Sequence, residues 1–270
     1  MKKLTLITFV LFTLLTLMTS CSSDDGNEAM DKAFITTWET TTANETITIP
    51  TNTDEFAYNY TVDWGDGSTS ANRAGDVTHT YATAGPHTIA ISGTFPAIYF
   101  NDEGDKDKIQ TITQWGDIEW QSMESAFHGC TNVTGTAIDA PNLSNVRDMS
   151  EMFERSDYFN QDLSNWDVSN VEDMSKMFFL SNFDGDISNW DVSNVEDMRE
   201  MFSSNHRFSG VVSDWDVSSV TDMHRMFANA SSFNQDLSNW NTNNVTSCMD
   251  FNDEDSALIP AHLPTLGPCF

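Results

Sequence analysis

Between Phe34 and Phe100, apolar or β-branched residues alternate with polar ones in four short stretches: TITIP, AYNYTVDW, THTY and HTIAISG. Turn signals separate them at Asp66-Gly67, Ala74-Gly75-Asp76 and Gly85-Pro86. Short period-two strands with such turns predict a small all-β sandwich over 34–100. The pattern then changes. After a charged stretch, NDEGDKDK at 101–108, expected to be a solvated linker, one phrase recurs: LSNWDVSNVEDMSKMF from Leu163, ISNWDVSNVEDMREMF from Ile187 and VSDWDVSSVTDMHRMF from Val212.

Aligned on their tryptophans, Trp166, Trp190, Trp215 and Trp240 lie 24, 25 and 25 residues apart. Eight residues after each stands Met174, Met198, Met223 and then Cys248. The same ruler places Pro141 before Met149 and Trp115 before Met123. Six units of about 24–26 residues therefore fill 109–251. A single unit cannot bury its Trp, Met and Phe alone, so stacked neighbours must share one core. Trp115, Trp166, Trp190, Trp215 and Trp240 are expected in that ladder. Met149, Met174, Met198 and Met223 join them, with Phe127, Phe153, Phe178, Phe202 and Phe227.

Within a unit the first half, FNQDLSNWDV at 159–168, predicts a strand entering and leaving a turn. In the second half Met174, Met177 and Phe178 sit at i, i+3 and i+4, which predicts a helical turn. Ser169 or Asn170 would cap it. Asp148, Asp173, Asp197 and Asp222 recur just before a Met, where a helix start favours acid. Residues that differ between copies, Ser150, Ser175, Arg199 and His224 with Glu151, Lys176, Glu200 and Arg225, are expected to face water. The last unit breaks the pattern, so 252–270 is expected to cap the open end of the stack.

Two resemblances sharpen this reading. VDWGDGS, Val62 to Ser68, followed by VTHTYATAGPHTIAISG, resembles a PKD domain, which implies an immunoglobulin-like sandwich. Trp64 would then be core, Gly65-Asp66-Gly67 the turn, and His79 and Tyr81 structural. WDVSNVEDMSKMF and its copies resemble the BspA-type leucine-rich repeats of bacterial surface proteins, and SAFHGCTNV at 125–133 a related form. The fold class expected is thus mixed: an all-β immunoglobulin-like sandwich followed by an α/β leucine-rich-repeat solenoid. Surface adhesion or partner binding is what this second resemblance implies.

The chain begins with Lys2 and Lys3 and an apolar stretch, Leu4 to Met18, which predicts a secretion signal over 1–20. LMTSC, Leu17 to Cys21, resembles a bacterial lipoprotein box and implies a lipid on Cys21. The polar SSDDGNE after it resembles a surface-export signal of Bacteroidetes lipoproteins, and 21–33 is expected to be a disordered tether. The expected location is the outer membrane, lipid-anchored and facing the cell exterior. An exported protein permits disulfides, and Cys248 and Cys269 are the candidate pair over the cap. Asp255-Ser256-Ala257 resembles a short O-glycosylation motif.

Charge removes several function classes. The 41 acidic residues against 12 basic give a formal −29, a surface that repels nucleic acid and anionic lipid. Contact with membrane is expected through the lipid anchor only. The six histidines, 79, 87, 128, 206, 224 and 262, are scattered, and no nucleophile elbow, metalloprotease motif or phosphate-binding loop appears. Asp102, Asp105 and Asp107 lack EF-hand spacing. No catalytic residue, cofactor or metal is expected. Three functions remain: a surface protein binding a protein or extracellular-matrix partner; a glycan-binding component of polysaccharide uptake, if the Trp row is exposed; and, third, a secreted hydrolase.

Overall fold

The computed structural model describes residues 32–270. The expected signal, Cys21 and most of the tether lie outside the described residues. Lys32 and Ala33 are already tied down, because the Asp117 N–H and the Gln114 side-chain amide donate to their carbonyls.

Strand β1, Phe34–Thr40, alternates buried and half-buried positions and sits inside a six-stranded sheet. It pairs antiparallel with β6, Gly85–Thr94, on one side and with β7, Ile109–Gln114, on the other. Beyond β6 come β3, Asn59–Asp63, and the edge strand β4, Thr69–Arg73. Beyond β7 the two-residue β8, Thr134–Gly135, pairs in parallel. A second, two-stranded sheet joins β2, Glu45–Ile49, to β5, Val77–Tyr81.

The self-contained immunoglobulin-like sandwich expected over 34–100 is therefore not what forms: the large sheet is mixed and continues past the charged stretch, expected to act as a linker, into β7 and β8. Segment 101–108 is held at several points. Asp105 accepts from the Thr48 N–H at 2.7 Å and pairs with Lys108 at 2.7 Å, and Asp102 pairs with Lys106 at 2.5 Å. The WGDG turn follows from its glycines. Gly65 has φ +75°, and a Cβ there would collide with the Thr88 carbonyl. Trp64 is buried and donates from Nε1 to Ser70 Oγ at 3.0 Å. Tyr81 donates to the Trp64 carbonyl at 2.8 Å.

The α/β solenoid is not what forms. Among the described residues there is no α-helix; the sole helical element is a 3₁₀ turn at Pro260–His262. The reason lies in the backbone donors. In a helix the N–H groups of the M-x-x-M-F segment would bond back along the chain. Here alternate N–H groups bond to the next unit instead: Met149 to Asp173, Glu151 to Ser175, Phe153 to Met177 and Arg155 to Phe179, all at 2.9 Å. Between them the chain closes tight turns, such as Met152 N–H to Met149 and Ser156 N–H to Phe153.

Such turns need left-handed residues. Glu151, Lys176, Glu200 and Arg225 have φ of 54–58°, as do Arg155, Leu180, Ser204 and Asn229 within 54–57°. Each costs about 1–2 kcal/mol for a non-glycine residue. The cost is offset because each such N–H makes a bond to the following unit. Isolated parallel bridges mark the same register, Asp148 to Asp173 to Asp197 to Asp222 to Ser247. The units are thus a stack of rungs one repeat apart.

The apolar ladder fills the stack. Phe127, Phe153, Phe178, Phe202 and Phe227 are stacked face to face with centroids 5.6–6.0 Å apart. A second column, Phe159, Phe183, Phe208 and Phe233, runs beside it at 5.6–6.4 Å. Pairs between the columns lie 3.7–4.0 Å apart. One buried cluster continues from Phe34 through Trp115 and the repeats to Leu258. At the far end Cys248 and Cys269 are bonded, and Phe270 packs edge-on against Phe251 at 4.8 Å.

Candidate functional site

Four places carry the residues that chemistry would need. The first is the Trp row. Trp166, Trp190, Trp215 and Trp240 are only 1–4% exposed. Three of them donate from Nε1 to a carbonyl of the preceding unit: Trp190 to Leu163, Trp215 to Ile187 and Trp240 to Val212, at 2.9–3.4 Å. A row that is both buried and engaged in this way offers no face for a sugar to stack on.

The second is the aspartate row. With no helix present, these acids do not sit at a helix start. Each accepts the backbone N–H two residues on, at 2.8 Å: Asp148 from Ser150, Asp173 from Ser175, Asp197 from Arg199 and Asp222 from His224. Ser122 does the same for Glu124 in the first unit. Burial pushes Asp148 and Asp197 above the usual carboxylate range, against the hydrogen bonds they accept. Asp197→Asn keeps the acceptor and removes a half-buried charge. At pH 7 it should equal or exceed the parent in stability. Both carboxyls are protonated below their folded and unfolded pKa values, so any gain should vanish as the pH falls below about 4. Asp197→Ala loses the acceptor and should cost about 1 kcal/mol. Urea denaturation at pH 7 and pH 3 checks both; equal losses for Asn and Ala would show that the acceptor is not what the position supplies.

The third is an open cavity of about 670 Å³ where the first unit meets the β-sheet. Phe56, Pro96 and Ile118 give it apolar walls, and Glu55, Asp117 and Glu119 line it with acid. It contains no histidine, cysteine or paired nucleophile and base.

The fourth lies across the first two units. His128, Glu151 and Glu154 bring one imidazole and two carboxylates together, with ligand-capable atoms all within 4.8 Å of one another. His128 Nδ1 is 3.4 Å from Glu151 Oε2, and Nε2 is 3.3 Å from Glu154 Oε1. These are ion-pair contacts, and Nδ1 lacks hydrogen-bond alignment with any partner. Burial alone would lower the imidazole pKa, but the two carboxylates more than reverse this and hold it at about 9. His128 first, and Lys176 at 2.9 Å, hold Glu151 down at about 2.

Sequence reasoning missed this cluster because its members are 23 and 26 residues apart. The repeat ruler would have found it: Phe127 N–H bonds Met152 and Gly129 N–H bonds Glu154, which sets His128 between those rungs. Exposure along the repeats also differs from the expectation. Of the variable positions expected to face water, Ser175 is buried, Ser150, Glu151, Lys176, Arg199, Glu200 and His224 are half-buried, and Arg225 is exposed. The exposed positions are instead turn residues such as Asp167, Asp191 and Asp216, and the acids Glu172 and Glu196. Cys130 is fully buried as a small filler, with its thiol pKa pushed well up by that burial.

A family model described as "Mycoplasma protein of unknown function, DUF285" matches residues 98–182 and again 178–257. The double match follows the internal repetition, and it begins just before the charged stretch, ahead of the first unit. No curated protein matches the chain. No solved structure matches it either. The two matches together cover more than half of the sequence, and the chain belongs to the DUF285 family.

Proposed function

We propose that this is a non-catalytic binding protein of the cell surface, held by a lipid on Cys21, whose repeat stack meets a protein or matrix partner. The observation that carries this reading is where the recurring residues go. The Trp, Met and Phe that form the recurring ladder are consumed by the interior, while Met249 of the last unit is exposed. What remains outside includes turn acids that recur in the middle of the stack: Asp167, Asp191 and Asp216 in three units, and Glu172 and Glu196 in two. A rigid scaffold displaying one charge sign suits recognition of a partner with a basic surface. The lipoprotein-box resemblance and the surface-protein resemblance of the repeats support the location. The glycan reading depended on exposed tryptophans and is not favoured.

The test is access from outside. Protease added to intact cells should remove the repeats, 109–251, while a periplasmic control protein survives. Cleavage only after the cells are broken would overturn the surface reading.

A further inference from the structure

We propose that His128, Glu151 and Glu154 form a binding site for one divalent transition-metal cation of the zinc type. The donor set is the first ground. One imidazole nitrogen with two carboxylates is a borderline set that suits Zn²⁺ and its neighbours better than Mg²⁺. The spacing is the second. Ligand distances of about 2.0–2.2 Å need donors within roughly 4 Å of one another, and these three meet within 4.8 Å. Closing the set onto one ring nitrogen takes side-chain rotation, because Glu151 faces Nδ1 and Glu154 faces Nε2.

The third ground is what the site leaves unmet. Glu154 is only 8% exposed, yet its Oε2 has no hydrogen-bond partner. His128 Nδ1 is also buried, with Glu151 Oε2 at 3.4 Å but no aligned hydrogen bond. A buried carboxylate oxygen and a buried ring nitrogen without hydrogen bonds each cost free energy that a shared cation would relieve. The surroundings resemble a supporting shell. Ser125 Oγ donates to Glu151 Oε2 at 3.2 Å, and Lys176 Nζ holds Oε1 at 2.9 Å. Glu151 keeps partial exposure, which leaves an entry path for the ion.

The position gives the ion a structural task. His128 belongs to the first unit, and Glu151 and Glu154 belong to the second. The His128 carbonyl accepts from Asp102 N–H at 3.1 Å, so the site also adjoins segment 101–108. A cation here would pin the start of the stack to the β-sheet region.

The experiment uses the full chain after dialysis against a chelator. Zn²⁺ is titrated by calorimetry, and Co²⁺ by its visible absorption. One tight equivalent per chain is expected, with a raised Tm. Glu154→Gln and His128→Gln should each weaken that equivalent by more than about 100-fold, since even outer-shell changes cost 10–100-fold. His224→Gln should leave it intact. Lys176→Met removes the competing cation at Glu151 and should tighten it. Melting curves without metal show whether each variant folds. Absence of a tight equivalent in the parent would overturn the proposal, and the cluster would then be a protonated imidazole between two carboxylates. Equal binding by parent and by both Gln variants would overturn it too, placing the ion on surface acids.

Discussion

Phe178→Ala should lower the unfolding free energy by about 4 kcal/mol, the range seen when a buried aromatic is cut back to a methyl group. The ring is fully buried in the middle of its column. It stacks on Phe153 at 6.0 Å and Phe202 at 5.7 Å, and on Phe183 of the second column at 4.0 Å. The cavity would be flanked by rungs that the inter-unit backbone bonds hold at fixed spacing, so little collapse can relieve it. Total stability of a natural domain is about 5–15 kcal/mol, so such a loss consumes much of it. Phe178→Leu should cost clearly less. Urea midpoints measured for both variants check this, and a loss under about 1 kcal/mol for Ala would mean the column does not hold the stack together.

Breaking the Cys248–Cys269 bond should cost about 3 kcal/mol, the chain-entropy value for a loop of some twenty residues. Cys248 stands at the sixth unit and Cys269 near the chain end, 21 residues on. The segment between them closes the last rung. Leu237 N–H bonds His262, and Asn241 bridges to Leu266. In a stack, each unit is stabilised by its neighbours. The loss should therefore appear first at the C-terminal end. Hydrogen exchange of the double variant Cys248→Ala, Cys269→Ala should show weakened protection at Val245 and Phe251 before Met149. Uniform loss along the chain would show that the cap is not a local fastening.

The ladder was legible because side chains with one task recur at one spacing. Every Trp, Met and Phe assigned to it is buried. The backbone was not legible, for a physical reason. Residues at i, i+3 and i+4 share a face on a helix, and they also share one on successive tight turns. The signal that separates the two is a left-handed residue, and glycine or asparagine normally announces it. Here Glu151, Lys176, Glu200 and Arg225 take that conformation, because rungs to the next unit hold them there. The β-rich start was legible as strands, while the pairing of β1 with β7 across a charged stretch was not: pairing partners are set by tertiary packing, which the local pattern does not encode. The His128 cluster is a register effect of the same kind.

The rungs give the protein a modular length. Each unit offers its neighbour the same carbonyls below and the same N–H groups above, whether the spacing is 24 or 25 residues. Insertion or deletion of one whole unit between Leu163 and Leu237 leaves every junction chemically alike. Near-identical copies in a coding sequence are also where recombination slips. Reach can therefore change in heritable steps of about 5 Å, the spacing of hydrogen-bonded neighbouring strands, while the β-sheet start and the bonded cap stay untouched.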